Sequence, residues 1–169
     1  MFKFFSPVSS PRLIIFIVAL SALVIAGAVI FVFHVKKDQD NQVLVIRDSA
    51  SGKTYGSWPM EEGDEFAIEF IHSVNQSPVR EIFTIEEGMI RLQKMSFYSI
   101  GAGISIDLEE GQRLSRDGDA MFITGFDRSF SVLNYIVGTV SDHLFFVNDD
   151  VYSLRDLCGR NARITIGLR

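Results

Sequence analysis

From Gln42 onward, apolar and polar residues alternate along the chain in short runs. Phe66, Ile68, Phe70 and His72 fall on one side, and Glu65, Ala67, Glu69 and Ile71 on the other. This is the two-residue period of a pleated strand. After Ser77-Pro78 the alternation resumes, with Val79, Glu81, Phe83 and Ile85 sharing one face and Arg80, Thr84 and Glu86 the opposite one. Together these runs predict a β-hairpin, Glu65 to His72 and Val79 to Glu86, closing around Asn75 to Ser77. The same reasoning predicts strands over 42–47, 53–58, 89–98, 120–124, 129–137, 143–147, 151–154 and 162–168. Turn chemistry separates them: Asp48 to Lys53 with Gly52, Glu61 to Asp64 with Gly63, Glu87-Gly88, and Asn148-Asp149-Asp150. Residues 104–119 read as irregular loop, and Leu154 to Cys158 as a single helical turn. Many short strands at regular spacing, with no other amphipathic helix in the same region, predict an all-β domain, an antiparallel β-sandwich or small barrel.

The first forty residues follow another pattern. Leu13 to Phe33 is a run of 21 residues without a charge. As a helix it would rise about 31 Å, the thickness of a bilayer's hydrocarbon core. Ala26-Gly27-Ala28 resembles a signal-peptide cleavage site, but the apolar run continues past it to Phe33, longer than a signal-peptide core of about 7–15 residues. The expectation is therefore an uncleaved single transmembrane anchor over 13–35, after a tail at 1–12. A linker at 36–42 would lead to a domain at 43–169. Lys3 and Arg12 before the span and Lys36 and Lys37 after it nearly balance, so the positive-inside rule decides little. A cytoplasmic amino terminus with the domain outside the inner membrane is favoured because the span starts so near the first residue.

Charge narrows the function further. After Phe33 there are 21 acidic residues and 14 basic ones, a formal charge of −7. That disfavours nucleic acid and anionic lipid as partners. The single cysteine, Cys158, permits no internal disulfide, and the three histidines are dispersed, so no metal or other cofactor is expected. His72 and Ser73 are adjacent in a strand and point to opposite faces, which prevents a nucleophile–base pair. No nucleophile-elbow motif occurs, and the expectation is that the protein is not an enzyme.

Candidate chemistry gathers at the predicted hairpin. His72 ends one apolar row and Glu81 interrupts the other, and closure of the hairpin would make them diagonal neighbours on one face, about 7–8 Å apart. Such a pair could orient a ligand, or could be a buried structural pair that fixes register. Gly101-Ala102-Gly103 could present backbone N–H groups to an anion, or could mark a bulge or close packing. A ligand site would be drawn from His72, Ser73, Asn75, Glu81, Gly101, Ala102, Gly103 and His143.

These residues carry a resemblance. Gly63-Asp64-Glu65-Phe66, Ile71-His72-Ser73-Val74, Ser77-Pro78-Val79-Arg80-Glu81 and Phe97-Tyr98-Ser99-Ile100-Gly101-Ala102-Gly103, with Asp117-Gly118, Gly138 and His143 later, are similar to the family known as domain of unknown function 1850. Ile104-Ser105 departs from it where a proline often follows. The resemblance implies a small secreted or membrane-anchored protein, often encoded beside the permease and solute-binding protein of TAXI-type TRAP transporters. It therefore implies an accessory role with one of those two proteins as partner. The alternative is a structural or assembly module of the cell envelope with no ligand.

Overall fold

The computed structural model describes residues 42–74, 76–98 and 107–169. The predicted anchor and linker, Asn75, and the Gly101-Ala102-Gly103 loop lie outside the described residues. Within them the chain is all-β, as the alternation predicts. Its strands are β1 (Gln42–Asp48), β2 (Thr54–Met60), β3 (Glu65–Ile71), β4 (Pro78–Glu86), β5 (Met89–Phe97), β6 (Arg113–Asp117), β7 (Ala120–Thr124), β8 (Ser129–Phe130), β9 (Val132–Ile136), β10 (His143–Val147), β11 (Asp150–Ser153) and β12 (Arg163–Leu168). One short helix, α1 (Leu154–Cys158), is capped by the Ser153 hydroxyl, which accepts from the Asp156 N–H.

The strands form two sheets in which every pairing is antiparallel. The smaller runs β2-β1-β12-β9. The larger runs β11-β10-β3-β4-β5-β7-β6, and β8 also pairs with β5. Turn residues set the hairpins. Asn148 and Asp149 both take positive φ, 49° and 65°, between paired Val147 and Asp150, the two-residue connection that matches strand twist. Pro59 lies inside β2 although it cannot donate to a ladder; β2 is an edge strand of the smaller sheet, where a missing N–H is tolerated.

The inner faces of the two sheets share one core. Leu44, Ile46, Trp58, Met60, Leu133, Ile164 and Ile166 come from the smaller sheet. They meet Phe66, Ile68, Phe83, Ile85, Ile90, Leu92, Phe145 and Val147 of the larger one. Trp58 bridges the layers, with its ring centroid 4.8 Å from Phe145 and 5.2 Å from Tyr152, both edge-on. Four strands cannot cover eight. A second apolar cluster, Val79, Phe97 and Ile123 with Phe70, Met95, Met121 and Phe126 around it, occupies the remaining inner face of the larger sheet.

Two differences from the predicted strands bear on that uncovered face. The run 129–137 is not one strand. It divides at Ser131, so that β8 stays on β5 while β9 crosses to β12. And β6, inside the stretch read as loop, is a strand at the sheet edge. All five of its residues are exposed, so no apolar alternation announces it.

Candidate functional site

The hairpin forms as the alternation predicts, but its register separates the two residues expected to meet. Ile71 pairs with Pro78 and Ile68 with Glu81, and the His72 N–H donates to Ser77 O at 2.9 Å. His72 thus lies opposite Ser77, four positions along the ladder from Glu81. The two share a face, but the offset is about 13 Å along the strand, so they are not the predicted diagonal neighbours. Periodicity specified the face; the connection between the strands set the register.

Glu81 has a different partner. Tyr135 Oη donates to its Oε2 at 2.6 Å. Tyr135 is on β9 and Glu81 on β4, so this hydrogen bond joins the two sheets. Burial, then the neighbouring Glu81 charge and its hydrogen bond, push the Tyr135 phenol far above its ordinary value. The tyrosine is therefore a permanent donor. Tyr135→Phe is expected to lower the unfolding free energy by about 1.5 kcal/mol, the contribution of a hydrogen bond to a charged acceptor. A urea midpoint equal to that of the wild type would show that the bond contributes nothing.

Between His72 and Glu81 the uncovered face forms an open groove. Its first section, about 430 Å³, has Phe70, Val79, Met95 and Ile123 as its floor, with His72 and Phe126 beside them. Its wall carries Asp107, Glu109, Gln112 and Arg128. The second section, about 370 Å³, includes Glu81, Phe83, Phe130 and Tyr135. Met95 and Arg128 line both sections, which are therefore adjacent. The wall is held in two ways. Arg128 forms an ion pair with Glu109. Gly125, at φ 78°, lies so close to the preceding loop that a Cβ there would sit 2.3 Å from Gly111 O. Only glycine permits both that conformation and that approach.

His143 lies at the end of the larger sheet. Its ring stacks on Phe70 at 5.4 Å and meets the Tyr135 ring edge-on at 6.4 Å. The Gly138 N–H donates to its Nδ1 at 3.1 Å, a bond that only the neutral ring with its proton on Nε2 accepts. Asp142 organises the approach: its Oδ1 accepts from the N–H groups of His143 (2.7 Å) and Arg155 (3.0 Å), and its Oδ2 from Ser153 Oγ. Burial is the main cause that holds the His143 pKa below its ordinary value; Asp142 opposes it and Arg155 reinforces it. A lowered folded-state pKa means that the unfolded chain binds the proton more readily. The stabilisation is complete above the unfolded value, about 6.5, and is lost as pH falls through the folded one. His143→Phe keeps an aromatic ring on Phe70 and removes the titration. Wild type and variant should therefore differ in the pH dependence of their melting temperatures below about pH 6.5, with the wild type falling more steeply. Parallel curves would contradict this.

The other predicted site residues divide. Ser73 is exposed and lies with Ile71, Gln76 and His143 around a separate shallow cavity, not in the groove. β3 ends at Ile71, so Ser73 belongs to the turn and not to the strand in which alternation would set its face. His143 lies beside Phe70 and Tyr135 rather than in the groove. Asn75 and Gly101, Ala102 and Gly103 are outside the described residues. Sequence reasoning missed Met95, Arg128 and Tyr135. Tyr135 sits in an alternating run, Leu133, Tyr135, Val137, where a phenol on a core face calls for an acceptor; that signal was present.

The fold and groove define a two-layer antiparallel β domain with an open, mainly apolar cleft rimmed by polar groups. The chain belongs to the family described as domain of unknown function (DUF1850), which it matches over residues 66–154, just over half its length. That span runs from β3 into α1 and takes in His72, Glu81, Tyr135 and His143. No curated protein and no solved structure matches it.

Proposed function

We propose that this protein is a membrane-anchored, extracytoplasmic binding and accessory protein that assists a TAXI-type TRAP solute transporter. The uncharged run Leu13 to Phe33 would anchor it as a single span in the inner membrane, and a short linker would keep the β domain near the outer face. The observation that carries the binding part is the groove over Val79, Met95 and Ile123: an apolar floor walled by polar and charged groups suits a small-molecule site. The transporter part rests on the family resemblance.

A second reading, an envelope assembly module without a ligand, is favoured by exposed apolar surface at one cavity. Ile71 and Val140 line it and are 37% and 90% exposed, and apolar surface grouped in this way can dock on another protein. Co-expression of the tagged full chain with the permease and solute-binding protein of a TAXI-type system separates the two readings. Recovery of the permease in near-equal amount supports the accessory role. Recovery of envelope structural proteins without permease supports the module.

A further inference from the structure

We infer that the groove takes an organic cation, an ammonium group carried on a compact aromatic or branched apolar body, with Glu81 as its counter-ion. The inference rests on the groove being a ligand site and adds the chemistry of what enters it. Glu81 is partly buried on the inner face of β4. Among the described residues its hydrogen-bond partner is Tyr135, and no Lys, Arg or His side chain is ion-paired with it. A carboxylate on a core face without a cation is costly unless something charged or polar compensates it. Tyr135 occupies Oε2 alone.

The surroundings suit a cation. Phe83, Phe130 and Tyr135 line the same section of the groove as Glu81, and aromatic faces attract ammonium groups. Met95 offers a polarizable surface for the apolar body. Among the described residues, the charged or titratable groups facing the groove are the carboxylates of Glu81, Asp107 and Glu109, the guanidinium of Arg128 and the imidazole of His72. Arg128 is half-exposed and ion-paired with Glu109. An anionic ligand would compete with Glu109 for it and would approach the Glu81 carboxylate. A cationic ligand displaces nothing and supplies the charge that Glu81 lacks.

Three water-soluble probes with similar bodies test this: 2-phenylethylammonium, 3-phenylpropanoate and 2-phenylethanol. Each is titrated into the full-length chain in lipid nanodiscs, with empty nanodiscs as blank, and binding is read by calorimetry and by the methyl NMR signal of Met95. The ammonium probe should bind at least about tenfold more tightly than the other two and shift the Met95 signal. Glu81→Gln keeps an oxygen that accepts from Tyr135, so its urea midpoint should stay close to that of the wild type while the preference for the ammonium disappears. If the carboxylate or the alcohol binds as tightly as the ammonium, the cation inference is overturned and the groove remains a ligand site. If no probe binds and Met95 does not shift, both fall. A preference that survives in Glu81→Gln removes Glu81 from the role. Should that variant fail to fold, the wild-type comparison of the three probes still decides the ligand class.

Discussion

Phe145→Ala is expected to lower the unfolding free energy by about 3–5 kcal/mol, the largest loss of any single substitution considered for this domain. Phe145 is fully buried at the centre of β10. Its ring meets Trp58 of the smaller sheet at 4.8 Å, Phe66 of the larger at 5.9 Å and Tyr152 at 6.3 Å. Truncation removes the side chain around which the two layers interlock. Its neighbours are themselves rings held between sheets and cannot collapse into the space, so the cavity cost adds to the lost transfer energy. Urea unfolding followed by Trp58 fluorescence measures it, since Trp58 is the only tryptophan. A loss below about 1 kcal/mol would mean that the two sheets do not share this core.

Gly138→Ala is expected to cost about 3 kcal/mol, the upper range for forcing extra volume into a packed site. A Cβ at this position would lie 2.1 Å from Ser141 O and 3.3 Å from His143 Nδ1. The first contact is with backbone and cannot be relieved by a rotamer change. Nor can the 138–142 loop shift freely. The Arg155 guanidinium donates to Val140 O at 3.0 Å, and Asp142 ties its far end to the start of α1. Displacing Gly138 would also break its N–H bond to His143 Nδ1. A second readout follows: in Gly138→Ala the part of the acid sensitivity due to His143 should shrink. Chemical denaturation with wild-type stability would show that the loop rearranges without strain.

Most of the strand plan was legible, because inner and outer residues alternate wherever a strand has one buried face. Phe66, Ile68, Val79, Phe83 and Ile85 are all buried as that alternation requires. β6 was not legible: Arg113, Leu114, Ser115, Arg116 and Asp117 lie exposed at an edge, and only pairing with β7 makes them a strand. The His72–Glu81 separation was hidden for another reason. Alternation defines which residues share a face but leaves the ladder free to slide by two, and only the length of the connection decides. The groove itself depends on the unequal widths of the two sheets and on where the smaller one ends, which is set where the chain changes sheets at Ser131 and makes β9 its edge. Nothing in the composition around Ser131 signals the change.

The smaller sheet carries a condition on biogenesis. β12 stands between β1 and β9, pairing Ile46 with Ile166 on one side and Leu133 with Ile166 on the other. The first of those contacts joins segments 120 residues apart in the chain. Until β12 has been synthesised, β1 and β9 have no common neighbour, and the smaller sheet cannot close over the core. A nascent domain of this topology waits, with its aromatic layer bare, for its final strand.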